Sequence, residues 1–424
     1  MGHEHSHGPI RVPPRTQRLL LAALTPFLIA TLIGLIVLWP SGKNLRLGVN
    51  GAQTQEFGAT VTHVEPRECP DVPGHENFSC SQATIRLREG PDEGDTFSLD
   101  FSSGPRTREI RTGDEVVIGR NLDQESAAQQ PGSPRYFFLD FDRRVPLLWL
   151  AVVFSVVVIG LSRWRGLAAL AGLAVSLLVL IRFVLPAILE GSDPLLVAIV
   201  GGAVIMFLAL YLAHGFNAAT TTAVLGTLAA LFLTGALALL FVSISIFTGA
   251  GSEEAAFLQI SQSRVNLQGL LLASIIIGTL GVLDDVTVTQ ASAVWELRKA
   301  NPEYGVRNLY KGAIRIGQDH IASTVNTLVL AYAGASLPLL ILFSVSNRDL
   351  GLILNSETVA EEIVRTLVGS IGLVASVPIT TGLAALVVTS ATRGASDKRF
   401  RRRRRNADLD YETPHRERDF WGTD

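Results

Sequence analysis

Long apolar segments separated by short polar ones make up most of the chain, and each has about the length of a membrane-spanning helix. A helix needs about 20 predominantly apolar residues to cross a hydrocarbon core of about 30 Å. About eight runs meet this requirement. They cover residues 19–39, 145–161, 167–185, 195–213, 220–247, 267–283, 324–343 and 366–390. This pattern predicts a polytopic α-helical membrane protein.

One long polar block, residues 43–144, interrupts the apolar runs after the first of them. Apolar and polar residues alternate in 83–88 and 96–101, residues 115–119 form a further candidate strand, and Gly and Pro separate these segments. A period of two is typical of β-strands with one buried face. The block therefore predicts a small β domain, a barrel or sandwich, inserted after the first helix.

These patterns divide the chain into five parts. We predict an N-terminal tail (1–18), a first transmembrane helix (19–39), the β domain (43–144), a membrane domain of about seven helices (145–390) and a basic C-terminal tail (391–424). The composition fits this division, with 48% hydrophobic and 17% charged residues and a mean hydropathy of +0.34. The formal net charge of −2 indicates no particular partner.

Basic residues in the short connections predict the orientation, because Lys and Arg are retained on the cytoplasmic side. With eight spans, all basic clusters fall on one side, and the acidic loops 190–193, 253–254 and 357–362 fall on the other. We therefore expect both termini in the cytoplasm and an extracytoplasmic β domain. The clusters are Arg11, Arg15 and Arg18; Arg163 and Arg165; Arg298, Lys299, Arg307, Lys311 and Arg315; and residues 398–405.

The two cysteines of the chain, Cys69 and Cys80, both lie in the β domain. An exported domain is in a compartment where thiols pair, which favours a disulfide that closes a loop. Free thiols or a metal site are the alternatives, but His75 is the only histidine between the cysteines, which is short of a closed zinc ligand set. We predict a disulfide and no metal site.

Two adjacent carboxylates, Asp284 and Asp285, end the sixth apolar run, and Thr289 and Gln290 follow them. Ionisable groups near the membrane interior are costly and usually functional. On a helix, Asp285 and Thr289 lie on one face because they are four residues apart. A helix cap or an ion-pair anchor in a solvated mouth is the structural alternative.

A second polar stripe, with Asp319, His320 and Asn326, begins the seventh apolar run. Because consecutive spans are antiparallel, Asp319 and His320 are expected at a depth similar to that of the acidic pair. We predict that these side chains bind a cation or proton, with His320 as a proton relay near neutral pH. The candidate residues are Asp284, Asp285, Thr289, Gln290, Asp319, His320 and Asn326.

Enzyme motifs are missing from the sequence. It contains no Gly-rich phosphate loop, no nucleophile elbow and no Walker motif, and the carboxylates lack a catalytic nucleophile. We expect no enzymatic activity, no cofactor and no nucleic-acid partner. The histidines at positions 3, 5 and 7 lie in a short tail, and we assign no metal to them.

The sequence resembles the YibE/F family of bacterial multi-pass membrane proteins. The residues that carry the resemblance are 281–290 (GVLDDVTVTQ), 308–310 (NLY), 317–321 (GQDHI), 324–328 (TVNTL) and 332–335 (YAGA). The resemblance implies an integral protein of the bacterial cell membrane and no particular activity.

Two functions fit these predictions. The first is a transporter or permease that uses the Asp/His residues, with the lipid bilayer and a cation or proton as its partners. The alternative is a sensor or assembly factor whose β domain binds an extracytoplasmic protein. The sequence predicts neither a substrate nor an oligomeric state.

Overall fold

The computed structural model describes residues 13–42, 54–69, 79–104, 108–121, 136–261, 264–346 and 349–411, with side chains described as far as residue 390. Residues 1–12 of the predicted N-terminal tail and 412–424 of the predicted C-terminal tail lie outside the described residues. The chain divides into two compact units. One is Gly48–Arg163, and the other joins Met1–Leu47 with Trp164–Asp424.

The first unit contains a five-stranded antiparallel sheet of strand order β3-β2-β1-β4-β5. The predicted strand segments fall in β2, β3 and β4, whereas β1 and β5 were not predicted. The small β domain is thereby confirmed as a β half-barrel. Its strands are β1 (Thr54–Arg67), β2 (Ser79–Leu87), β3 (Thr96–Ser103), β4 (Glu115–Asn121) and β5 (Tyr136–Phe141).

The sheet curls around an apolar core. Val61, Ile85 and Ile118 are fully or almost fully buried on its inner face. Aromatic side chains of the two outer strands meet across the core: the Phe97 and Tyr136 rings are stacked with centroids 4.9 Å apart. The strands at the ends of the described sheet thus pack against each other through side chains.

A disulfide joins Cys69, which follows β1, to Cys80 in β2. Strand β2 pairs with both β1 and β3, and Cys80 lies opposite Arg67 and Ser102. The bridge therefore closes the connection between two hydrogen-bonded strands.

The second unit is helical, and the boundary between the units falls at Arg163, where two helical segments meet at a residue with non-helical backbone angles. The helices are α1 (Pro14–Val37), α2 (Arg144–Val179), α3 (Leu185–Leu189), α4 (Pro194–His214), α5 (Ala218–Ile244), α6 (Glu253–Ser261), α7 (Leu267–Ala300), α8 (Val306–Ala335), α9 (Leu337–Val345), α10 (Leu350–Leu354) and α11 (Glu357–Tyr411). A π-helical segment, Leu180–Val184, connects α2 to α3.

Six described helices are long and apolar enough to cross a membrane, or seven if α8 and α9, which meet at a bend of 63°, form one span. The protein is thus built as a polytopic membrane protein. The count differs from the predicted eight partly because residues 145–161 and 167–185 are counted together in the stretch Arg144–Leu189, although this stretch consists of two helical segments that meet at Arg163. Arg163, with φ 50° and ψ −127°, interrupts its helical backbone. The eight-span topology and the orientation of the termini remain predictions.

Helix α7 lies at the centre of the helical unit and packs against α4, α5, α8 and α11. It begins at Leu267 because the side chain of Asn266 accepts a hydrogen bond from the Gly269 N–H, which caps the helix. Helices α7 and α8 are antiparallel. Gly278, in the first half of α7, lies near Tyr332 at the end of α8, whereas Gln290, in the second half of α7, lies near Gly317 in the first half of α8.

Glu190 connects the end of α3 to the segment after α1. Its carboxylate accepts hydrogen bonds from the Ser41 N–H (2.8 Å), the Ser41 hydroxyl (3.0 Å) and the Gly42 N–H (2.9 Å). These donors, the Ser41 backbone N–H foremost, hold the pKa of Glu190 below its ordinary value.

We expect Glu190→Gln to lower the thermal unfolding temperature by a few degrees at pH 7. A carboxyl group whose pKa is lowered by folding contributes stability above its unfolded pKa of about 4.3, and loses it as the pH falls through the folded value. The difference between variant and wild type should therefore shrink below about pH 4. Thermal unfolding of detergent-purified protein measures it, with the exposed Glu254→Gln as control. A difference of equal size at low pH would contradict the assignment.

Candidate functional site

The acidic pair lies in the middle of α7, where adjacent residues point to different surroundings. Asp284 is half-buried, and its Oδ1 atom is buried and has no hydrogen-bond partner within the described residues. Asp285 is exposed, with 73% of its side-chain surface accessible. Successive residues of a helix are about 100° apart around its axis, so one carboxylate turns toward the bundle while the other turns outward.

His320 of α8 lies beside the exposed carboxylate. Its Nε2 atom is 3.8 Å from Oδ2 of Asp285, a distance suited to an ion pair when the imidazole is protonated. His214, the last residue of α4, lies within electrostatic range of both Arg165 and Asp285. One imidazole and two carboxylates are therefore brought together by α7 and α8.

Threonine hydroxyls from two helices surround the inward-facing carboxylate. The Thr227 side chain of α5 is next to Asp284. Its hydroxyl is also 2.7 Å from the hydroxyl of Thr287, one turn further along α7. Both threonines are fully buried. The Asp284 carboxylate therefore faces a polar interface between α5 and α7 rather than apolar side chains.

Gln290 occupies a fully buried position where α7, α8 and α11 meet. Its Oε1 atom accepts a hydrogen bond from the Thr381 hydroxyl (2.9 Å), whereas Nε2 has no partner in the part of the chain that is described. A Cβ atom on Gly317 would lie 2.6 Å from both Gln290 Nε2 and a methyl group of Val377. Glycine at 317 is therefore what lets α8 approach the other two helices.

The remaining candidates lie further from this arrangement. Thr289 is half-buried, and Asp319 and Asn326 are exposed. None of these three side chains forms a hydrogen bond or ion pair with the described residues. The sequence-based candidates thus separate into Asp284, Asp285, Gln290 and His320, which meet other polar groups, and three that do not.

Buried threonine hydroxyls between α5 and α11 were not among the residues predicted from the sequence. A methyl group on Gly226 of α5 would overlap the Thr380 hydroxyl of α11, and one on Gly372 of α11 would overlap the Thr234 hydroxyl of α5. A signal was present, because Thr220, Thr227 and Thr234 of α5 recur every seven residues and so share one face. Each glycine faces a threonine of the neighbouring helix.

Across the described residues, no group of three or more His, Cys, Asp or Glu side chains has the geometry of a metal site. The polar groups around α7 can instead accept a proton or contact a weakly bound monovalent cation, since hydroxyl and carboxylate oxygens are suitable partners for both.

Comparison with known families gives one match. A family model described as YibE/F-like protein matches residues 150–390. The chain belongs to the YibE/F-like family. The matched region contains Asp284, Asp285, His320 and the hydroxyl-bearing interfaces of α5, α7 and α11, and it leaves out the five strands. Comparisons with curated proteins and with solved structures give no match.

We expect Gly317→Ala to destabilise the helical unit of this protein by about 1–3 kcal/mol, the usual cost of overpacking. The β-branched Val377 cannot move away from the new methyl group as easily as a flexible side chain. Gly334→Ala is the matched control on the same helix, because nothing lies within 4 Å of its Cβ position.

Thermal unfolding of detergent-purified protein measures both variants. The control should match or exceed wild type, because alanine is the better helix former. Equal stability of the two alanine variants would contradict the close approach at Gly317.

Proposed function

We propose that this YibE/F-like protein is a membrane transporter that moves a proton or a monovalent cation through the interface of α5, α7 and α8. The half-buried carboxylate of Asp284, with an unpartnered buried oxygen, is the observation that carries the proposal. A carboxylate removed from water without a counter-ion is costly, and a bound proton or cation removes most of that cost.

The proposed role of Asp285 and His320 is to exchange ions between Asp284 and the surface. Asp285 is exposed and adjacent to Asp284 in sequence, and His320 lies at ion-pair distance from it. An imidazole changes its charge near neutral pH, so it can take up and release protons under physiological conditions. His214 provides a second imidazole within electrostatic range of Asp285.

Buried hydroxyls would extend the polar route beyond the carboxylates. Thr227 and Thr287 are in hydrogen-bond contact at 2.7 Å, next to Asp284. Further along α7, Gln290 and Thr381 form a buried pair. Intramembrane polar groups that line a bundle interior commonly mark ion pathways. Gln290 would act chiefly by holding three helices together, because its Oε1 atom is already occupied.

The remaining parts of the proposal follow from the sequence. We place the protein in the bacterial cell membrane with both termini in the cytoplasm, because its basic residues cluster in alternate connections. We assign it no enzymatic activity and no cofactor.

The transport proposal predicts that Asp284→Asn/Asp285→Asn reduces ion flux to the level of empty liposomes, because amides bind neither protons nor cations as carboxylates do. The measurement is flux in proteoliposomes loaded with dyes for pH and for Na⁺ or K⁺. Glu296→Gln is the control, since Glu296 is an exposed carboxylate of the same helix whose partner is Lys299. Asp319→Asn should also retain flux, because Asp319 contacts no other polar group in the described chain.

Folding must be checked independently by size-exclusion chromatography and circular dichroism. Undiminished flux in the folded double variant would contradict the proposed route. So would a wild-type protein that moves none of these ions under an imposed gradient.

A sensor or assembly factor is the second candidate function, favoured by one observation. The β unit has its own apolar core and its own sheet, so it has the construction of a separate binding domain. Its partner would be an extracytoplasmic protein.

Complementation of a chromosomal deletion separates the two functions. If the protein senses or assembles, replacing residues 43–144 with a short linker abolishes complementation, while Asp284→Asn/Asp285→Asn retains it. If it transports, the double variant fails to complement. Protein levels in the membrane fraction provide the control for expression.

A further inference from the structure

A second group of charged side chains lies in the first turns of α11, away from the acidic pair. Its members are Glu357, Glu361, Glu362 and Arg365. Thr381 lies twenty residues beyond Glu361, about 30 Å along the helix, which is close to the hydrocarbon thickness. The group therefore lies at one end of the bundle, and the Thr381–Gln290 pair lies toward the other.

The same end of the bundle contains the beginning of α7. Val364 of α11 packs against a buried apolar cluster that includes Leu271 and Leu272 of α7. Asp284 is thirteen residues beyond Leu271, about 20 Å along α7. The charged group on α11 is thus separate from the proposed site around Asp284.

Glu361 is the most buried carboxyl group of this set, with 8% of its surface exposed. Its Oε1 atom is buried and lacks a hydrogen-bond partner among the described residues. The loop before α6 covers it closely: a Cβ atom on Gly251 would lie 2.9 Å from the Glu361 carboxyl carbon. The Thr358 hydroxyl donates to the Gly251 carbonyl and holds the loop in this place.

Glu357 lies one turn before Glu361 and is held as a hydrogen-bond acceptor. Its Oε1 atom accepts from the Thr248 N–H (2.6 Å), the Thr248 hydroxyl (2.8 Å) and the Gly249 N–H (2.9 Å). Three donors on one oxygen favour the ionised form of the group. Glu357 is therefore the member of the set best suited to carry a full negative charge.

Glu357 and Glu361 are four residues apart, so their carboxyl groups lie on the same face of α11. Two neighbouring carboxylates repel each other, and a proton on one of them removes that repulsion. Because Glu357 already accepts three hydrogen bonds and Glu361 is the more buried of the two, the proton belongs on Glu361.

The neighbouring charges do not remove the need for this proton. Arg365 pairs with Glu362 at 3.6 Å and lies within electrostatic range of Glu361. One guanidinium group cannot neutralise three carboxylates. Tyr332 of α8 is the other titratable group near Arg365 and Glu362. The described parts of α5, α6 and α7 add no charged contact to the set.

We propose that Glu361 is a second proton-binding site of this protein, in which the Gly251 loop covers the bound proton and Glu357 is the neighbouring ionised carboxylate. Tyr332 lies on the helix that also carries His320, twelve residues or about 18 Å away. Glu361 and Asp284 are therefore in the same helical bundle. A role for Glu361 as a second binding site for transported protons rests on the proposed function. A divalent metal fits less well, because the described side chains form no metal-ligand group.

Infrared difference spectroscopy of the full-length protein tests the proposal directly. A protonated carboxyl group has a carbonyl stretch that an ionised carboxylate lacks. At neutral pH, the wild-type spectrum should contain this band. The difference between the wild-type and Glu361→Gln spectra should show the loss of a band equivalent to one protonated carboxyl group per molecule. The control Glu296→Gln should leave the band unchanged, because that carboxylate is exposed and paired with Lys299.

Glu361→Asp guards against a variant that fails to fold, since it keeps a carboxyl group and should shift the band rather than remove it. A full band in Glu361→Gln would overturn the proposal, and so would a wild-type spectrum without a protonated carboxyl group at neutral pH. Flux measured on the same samples separates the two proposals. Loss of the band without flux in any sample contradicts transport alone, whereas flux with an unchanged band contradicts the Glu361 site alone.

Discussion

Close approach of helices at glycine positions that face a neighbour's polar side chain is the packing on which the bundle depends. The hydrophobic effect does not drive helices together inside a bilayer, because lipid tails are as apolar as the side chains. Helix association there relies on tight packing and on hydrogen bonds between helices. Glycines of α5, α8 and α11 each admit a polar side chain from the next helix. Gly226 faces Thr380, Gly372 faces Thr234, and Gly317 faces Gln290.

This packing has a functional consequence, because it places polar atoms inside the bundle without exposing them to lipid. Most of the buried hydroxyls bond to carbonyls of their own helix, as Thr227 and Thr234 do. The buried polar atoms without a hydrogen-bond partner bear more directly on function. Asp284 Oδ1 and Glu361 Oε1 are buried oxygens without partners among the described residues, and they lie at different levels of the bundle.

The sequence alone predicts the elements that depend on the length of an apolar run or on the period of its hydrophobic residues. Apolar runs of about twenty residues identify spans, and the predicted break between residues 161 and 167 contains Arg163, the residue with non-helical backbone angles. Strand β1 escaped prediction because a bulge between Val61 and His63 shifts its alternation out of phase. The neighbouring positions of Asp285 and His320 follow from antiparallel helices. The threonine contacts of Asp284 do not, because they depend on which helix faces meet.

Thiol labelling in proteoliposomes tests most directly whether a polar route reaches Asp284 inside the bundle. Both cysteines of the chain are in the disulfide, so a single introduced cysteine is the only free thiol. With a small charged reagent on both sides of the membrane, Asp284→Cys should be labelled. Leu283→Cys, at a fully buried apolar position one residue away, should not be labelled. Absence of labelling at both positions, or equal labelling of the two, would contradict the account.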